Sequence, residues 1–311
     1  MNIFGITAAR IKGIPFLFWA MDLQPELAIA SGYVKEKGVL TRLLWAMTDR
    51  AYRKSDLVVA LDKYMADHIR SRGGRADRIE VIPVWDVMPE PYAGKRLDNP
   101  FRVKHGFADK IVVMYSGNHS VIHPLDTLLH AALELRDDPR FLFAFVGGGI
   151  RKKDVSDFAS EHQLSNIVQL PHQPRETIHL SLSSADLHAV VLGNGCAGYT
   201  HPSKIYGMMA IGRPVLYVGP KESYITDLLA GCPGNIAVEH GEGDALARQL
   251  RAFADSGADQ WSAIGRRNLE RLQKHFSKEK SAQHFVSRIK TLMAAHQSKA
   301  SSTRVELPFS N

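Results

Sequence analysis

One segment carries residues suited to gripping an anion: Gly198 to Gly219, GYTHPSKIYGMMAIGRPVLYVG. A Pro-Ser-Lys turn opens a short helical pattern, which runs into a Gly-Arg-Pro break and an apolar strand. Proline is pre-organised for a first helical position, and the unpaired backbone donors of a helix start attract anions. Lys204, expected one turn inside that start, adds a point charge to the same anion, and phosphate is the chemistry that fits. A capped helix with a solvated lysine is the other reading of the tripeptide alone.

Three further loops follow apolar runs, the place where doubly wound sheets hold their ligands. YSGNHSVIHPLDTLLHAA offers Gly117 and Asn118 for close backbone approach, with a helix expected from about Pro124. FVGGGIRKKD sets Gly147, Gly148 and Gly149 before Arg151, Lys152 and Lys153. The dinucleotide fingerprint needs a further glycine where Lys152 stands, so a nicotinamide enzyme is disfavoured. LPHQPRETI, Leu170 to Ile178, exposes backbone groups able to read a nucleobase edge, and a plain loop serves almost as well.

The elements that must position these loops alternate along the chain. Strand patterns at Ile14 to Trp19, Leu57 to Ala60 and Glu80 to Pro83 are separated by helical ones. A second series follows at Ile111 to Ser116, Phe141 to Val146, Ile167 to Leu170, Leu187 to Leu192, Pro214 to Val218 and Asn235 to Val238. Strands alternating with helices predict an α/β protein of parallel sheets covered on both faces. The proline-, glycine- and charge-rich stretch between the series predicts a linker ending near Asn99. Trp261 to His275 and Lys278 to His296 read as helices. Between Gly38 and Lys54 a stripe of Leu40, Leu43, Leu44, Met47 and Ala51 is expected to face the core, with Trp45 outward.

Composition bounds the class. The 311 residues carry 45% hydrophobic and 23% charged side chains, enough for roughly two cored domains. Cys196 and Cys232 lack metal-type spacing, so no metal or disulfide scaffold is expected. The apolar run Ile14 to Met21 is too short for a membrane span or signal core. A net charge of +7 leaves anionic small substrates or an anionic lipid surface open; nucleic acid is disfavoured, because the basic residues are spread and no nucleic-acid module is present.

The order YSGN, FVGGG, LPHQP, SADLHAVVL and HPSKIYGMMAIGRPVL resembles the C-terminal donor domain of GT-B-fold glycosyltransferases. It is most similar to the retaining family-four group that builds bacterial surface polysaccharides, over Lys110 to about Met293. IPFLFWAMDLQPELAIASG, SDLVVALDKYMADHIRSRG and IEVIPVWDV resemble the second half of that family's acceptor domain. The resemblance implies a complete C-terminal Rossmann-like domain and a partial N-terminal one. The expected division is 1–98 for the acceptor side, 99–275 for the donor domain, 276–298 for a helix returning to the N-terminal domain, and a disordered tail at 299–311.

What it further implies is a nucleotide diphosphate sugar as substrate, with no separate cofactor. The base would lie near Pro171, His172 and Gln173, and the diphosphate between Gly117-Asn118 and Lys204. His119, Gly147, Gly148, Ser203 and Tyr206 join the candidate donor contacts, with Tyr199 at a family sugar-site position. Asp22 is the group expected to take a proton from an acceptor hydroxyl, with a helix cap as its alternative and Glu26 as a weaker candidate.

Departures from the pattern accompany the likeness. Two glutamates common in the family are replaced by Tyr199 and Gly207, an Arg and a Lys by His119 and the His123-Pro124 pair, and a histidine by Met21. The family's opening strands are missing before Met1, consistent with a misassigned start, an inactive remnant, or a subunit completed by a partner chain. The expected activity is sugar transfer to a lipid-linked or polysaccharide-precursor acceptor, in the cytoplasm at the inner membrane face. The alternative is a nucleotide-sugar-binding subunit without catalysis.

Overall fold

Each apolar run between turn signals becomes a strand of one of two parallel sheets, in a computed structural model that describes residues 2–84 and 90–305. The chain divides into an N-terminal unit of Met1–Val84, Gly198–His201 and Ser277–Asn311, and a C-terminal unit of Trp85–Ala197 and Pro202–Phe276.

The N-terminal unit runs α1 (Asn2–Ile11), β1 (Leu17–Trp19), α2 (Glu26–Ala30), α3 (Val39–Lys54), β2 (Leu57–Ala60), α4 (Lys63–Ser71) and β3 (Ile79–Val81). Its strands lie in the order β1-β2-β3, all parallel. The C-terminal unit runs α5 (Pro100–Lys104), β4 (Ile111–Ser116), α6 (Asp126–Glu134), β5 (Phe141–Val146), α7 (Lys152–Glu161), β6 (Ile167–Leu170), α8 (Ile178–Ser183) and β7 (Leu187–Val191). It continues through α9 (Lys204–Ala210), β8 (Val215–Val218), α10 (Tyr224–Ala230), β9 (Ile236–Val238) and α11 (Gly243–His275). Its six parallel strands take the order β6-β5-β4-β7-β8-β9.

This sheet is buried on both faces, and that is why its strands read as unbroken apolar runs. Ile111, Val113 and Tyr115 of β4 pack on one side with Leu128, Phe143 and Leu250, while Val112 and Met114 pack on the other with Phe101 and Leu170. Asp186, just before β7, is buried at 2% and binds the guanidinium of Arg102, buried at 1%, at 3.2 Å. It also accepts from the Val112 amide at 2.9 Å and from Nε and Nη2 of Arg96. The Asp of SADLHAVVL is thus a structural clamp between β4, β7 and the segment around Arg96.

The sheet of the N-terminal unit is covered by α12 (Lys278–Val305). Phe285 and Leu292 pack against Leu57, Val59 and Ile82, and Arg288 pairs with Glu80 at 3.0 Å. The tail expected to be disordered from 299 continues this helix to Val305, and 306–311 lie outside the described residues. Of the expected linker, 85–89 also lie outside them. Tyr92 and Arg96, placed in that linker by composition, are hydrogen-bonded to Ser183 and Asp186 of the C-terminal unit. Residues 243–275 form one element, broken at Gly257, whose φ of +80° no helix allows.

The amphipathic reading of α3 requires correction. Of the expected stripe Ala51 is buried and Leu44 and Met47 are half-buried, but Leu40 and Leu43 are 58% exposed, whereas Thr41 and Tyr52, off the stripe, are buried. Trp45 is half-buried beneath Arg72, whose guanidinium lies 3.7 Å from the ring centroid. The buried face is turned from the stripe of leucines because α3 packs through Thr41, Ala51 and Tyr52, and apolar periodicity alone does not fix that rotation.

Candidate functional site

The strand order of the C-terminal unit reverses between β4 and β7, so the loops leaving those strands diverge and open a crevice at their carboxyl ends. Gly117 to His119 follow β4 on one side, and Lys204, the first residue of α9, follows β7 on the other. Gly198 to His201, which precede it, belong to the N-terminal unit. Lys204 therefore stands at the start of the helix rather than one turn inside it, with Pro202 outside and Ser203 as the exposed cap residue, whose hydroxyl makes no capping bond.

The crevice brings Lys204 against the first glycine turn. A Cβ at Gly117 would lie 2.5 Å from Lys204 Nζ, so a larger residue there would push the ammonium aside, and the φ of +154° at this position also favours glycine. Nζ donates to the Tyr115 hydroxyl at 3.3 Å and sits 4.6 Å from that ring's centroid; the same hydroxyl donates to Asn118 O at 2.7 Å. Burial lowers the Lys204 pKa to about 8, and among the described residues no carboxylate pairs with the ammonium. A partly desolvated cation with no counter-charge among the described residues has the chemistry to attract an anion.

The second glycine turn locks onto the first. A Cβ at Gly147 would stand 2.1 Å from Gly117 O, and one at Gly149 would stand 2.3 Å from His119 O. The His119 amide donates to Gly148 O at 2.7 Å, and Arg151 N to His119 O at 3.0 Å. The amides of Asn118, Gly148 and Gly149 are not consumed by this backbone pairing. His172, exposed after β6, sits with its ring 3.6 Å from a Cβ built at Gly148, and Gln173 turns its amide back onto Pro171 O at 2.8 Å.

Two expected contacts are corrected. His119 is fully buried, edge-on to Tyr115, and its Nε2 has no partner; burial, with Lys152 and Lys204 nearby, pushes its pKa down. It is a neutral prop behind the turn, not an exposed phosphate ligand. Tyr206 is also fully buried, bonded to the Tyr224 hydroxyl at 2.8 Å and packed on Phe276. Two residues past Lys204, it points to the opposite side of the helix. His123, in place of a cation in the family pattern, is held neutral: burial first, then Lys204, lowers it to about 3. Lys204 is the cation set directly against the first glycine turn.

In the N-terminal unit Asp22 is exposed and accepts the Thr200 hydroxyl at 2.6 Å. Leu23 N donates to Tyr199 O at 2.8 Å, and the Tyr199 ring meets His68 edge-on at 4.8 Å. His201 Nδ1 binds Asp62 Oδ2 at 2.8 Å, while Asp62 Oδ1 caps α4 through the Met65 amide. Glu26 is buried against His68 Nε2 at 2.6 Å, its second oxygen unpartnered. Sequence reading gave no role to His68 or Asp62, because the pairings span 42 and 139 residues. An Asp directly before α4 was the one legible sign.

Comparison with known proteins agrees with this architecture. Residues 2–85 match the family described as a glycosyl transferase 4-like domain. WbjE of Pseudomonas aeruginosa, named as a glycosyltransferase, is 24% identical over 288 residues, covering 91% of this chain and 70% of its own length. WcaI of Escherichia coli K12, named for colanic acid biosynthesis, is 25% identical and covers 78% of this chain, which spans 61% of it. Among solved structures, Alr3699/HepE of Anabaena in complex with UDP superposes with a TM-score of 0.74 at 17% identity, covering 93% of this chain and 76% of that one. WaaG, a glycosyltransferase involved in lipopolysaccharide biosynthesis, gives 0.64 at 17% identity, over 86% of this chain and 73% of its own.

The fold is of the GT-B type. The domain match and the relatives make the chain a transferase enzyme of the glycosyltransferase class.

Proposed function

We propose that the crevice between β4 and α9 binds the diphosphate of a nucleotide sugar, of the UDP type seen with Alr3699/HepE, and that the chain passes the sugar to an acceptor with retention. The observation that carries this reading is the desolvated Lys204 ammonium, unpaired by any described carboxylate and set against Gly117. As the glycosidic bond breaks, charge develops on the departing diphosphate, and a cation with fixed amides aimed there lowers the barrier. The base would lie on the Pro171-His172-Gln173 loop. Asp22 is the proposed proton acceptor on the acceptor side. The names of WcaI and WaaG favour a polysaccharide or lipid-linked acceptor, and the proposed place of transfer is the cytoplasmic membrane face. No described helix is long and apolar enough to cross a membrane.

The diphosphate charge is met by Lys204 and backbone amides, without a divalent cation. Calorimetry with UDP is expected to give the same affinity with and without EDTA, and a requirement for magnesium would overturn that part. The decisive experiment incubates the protein with a panel of UDP-sugars and polyprenyl-linked acceptors, and reads the product anomer by proton NMR. Transfer with the donor's anomeric configuration supports the reading; inversion overturns retention. Tyr199 and Gly207, standing where two carboxylates are expected, favour a second reading, a donor-binding subunit. Binding without transfer to any acceptor would select it.

A further inference from the structure

The N-terminal unit holds a second concentration of positive charge, which donor binding does not use. Arg10, Arg53, Lys54, Arg75 and Arg78 line one cleft of about 470 Å³, with His296 of α12 at its edge and Asp56 as its one carboxylate. Asp56 directly precedes β2 and Arg78 directly precedes β3, so the cleft opens at the amino ends of the strands. Nucleotides in doubly wound sheets bind at the other end.

The acids near the cleft are already engaged. Asp56 Oδ2 accepts the Phe16 amide at 2.9 Å, and its Oδ1 lies 3.6 Å from Arg78. Asp77 holds Arg75 through two bonds of 3.1 and 2.8 Å. Among the described residues Arg10, Arg53 and Lys54 have no ion-pair partner. Like charges gathered in one concavity repel, and low-dielectric walls focus their field on whatever anion enters. Guanidinium forks match phosphate oxygens. The cleft also has an apolar lip: Ile14 lines it and is 52% exposed, and Ile11, next to Arg10, is 81% exposed.

We propose that this cleft is a binding site for a multiply charged phosphate-type anion, built wholly within the N-terminal unit and independent of the donor cradle. Two sources share that chemistry: a free di- or polyphosphate, and the headgroups of an anionic lipid surface, whose acyl region Ile11 and Ile14 would meet.

Equilibrium dialysis with inorganic pyrophosphate and co-sedimentation with phosphatidylglycerol-phosphatidylcholine vesicles test it on the full chain. The variant Arg10→Ala/Arg53→Ala/Lys54→Ala alters exposed, unpaired side chains. It is expected to weaken pyrophosphate or vesicle binding by about tenfold or more, since each cation near an anionic surface contributes on that order. A matched control, Lys95→Ala/Lys104→Ala/Arg136→Ala, removes the same charge from the C-terminal unit and is expected to bind as the natural chain does. Lys54→Glu should act in the same direction as the triple variant.

A free anion gives two pyrophosphate sites per chain, of which Lys204→Ala removes one and the triple variant the other. A lipid source gives a vesicle effect with pyrophosphate unchanged. If Lys204→Ala alters nothing while the triple variant does, the donor reading fails and this one stands. Equal behaviour of triple variant and control in both assays overturns the cleft.

Discussion

Lys204 is held near 8 by burial against an ordinary value of 10.5. Between those values the folded chain binds fewer protons at this site than the unfolded one, so stability rises with pH across that window. Lys204→Met keeps volume and removes the buried charge. It is expected to leave the thermal midpoint at pH 7 no lower, while UDP affinity in calorimetry drops by about tenfold or more. In the natural chain UDP affinity should weaken as pH passes about 8, where the free ammonium loses its proton; a flat profile from pH 7 to 9 would count against its role. Gly149→Ala meets a different obstacle, a carbonyl 2.3 Å from the new Cβ at a φ of +138°. Urea unfolding should show the C-terminal unit less stable by about 1–3 kcal/mol, with UDP binding weakened as well.

At the level of elements, the cradle depends on β4 and β7 keeping their places, and the buried Asp186 clamp does that. Asp186→Ala leaves the Arg102 guanidinium, which is 1% exposed, with backbone carbonyls of Ala108, Ser184 and Lys110 but without its carboxylate. Breaking a buried ion pair from one side costs about 3–5 kcal/mol. Denaturant unfolding should register a loss of that size, and Asp186→Asn, which keeps an acceptor for the Val112 amide, should lose less. The strands were legible because a sheet covered on both faces demands continuous apolar runs, and β2, β4, β5 and β6 carry the bounds that composition predicts. The face of α3 was not legible. Its leucines satisfy a helical period, yet Leu40 and Leu43 are exposed and Thr41 is buried.

Across the whole molecule, each unit has its own sheet and its own buried cluster. UDP at about one hundred times its dissociation constant should stabilise the unit that binds it by about 2.7 kcal/mol. Hydrogen exchange is expected to show that added protection in β4, β5, β7 and α9 of the C-terminal unit. Protection that rises first in β1 to β3 would place the nucleotide elsewhere.

Lys204 and the glycine turns around Gly117 and Gly147 were open to inspection in the linear chain, because proline and glycine constrain the backbone locally and a lysine beside them marks a cationic side chain. Strand identity was equally open. Local chemistry cannot say which side of a helix meets the core, or which distant groups neutralise each other. Packing buried His119 and Tyr206, set His201 on Asp62, drew Glu26 onto His68, and gathered Arg10, Arg53 and Arg78 around one hollow. These outcomes depend on contacts between residues far apart in sequence, where burial and electrostatics are settled jointly by elements that only the folded chain brings together.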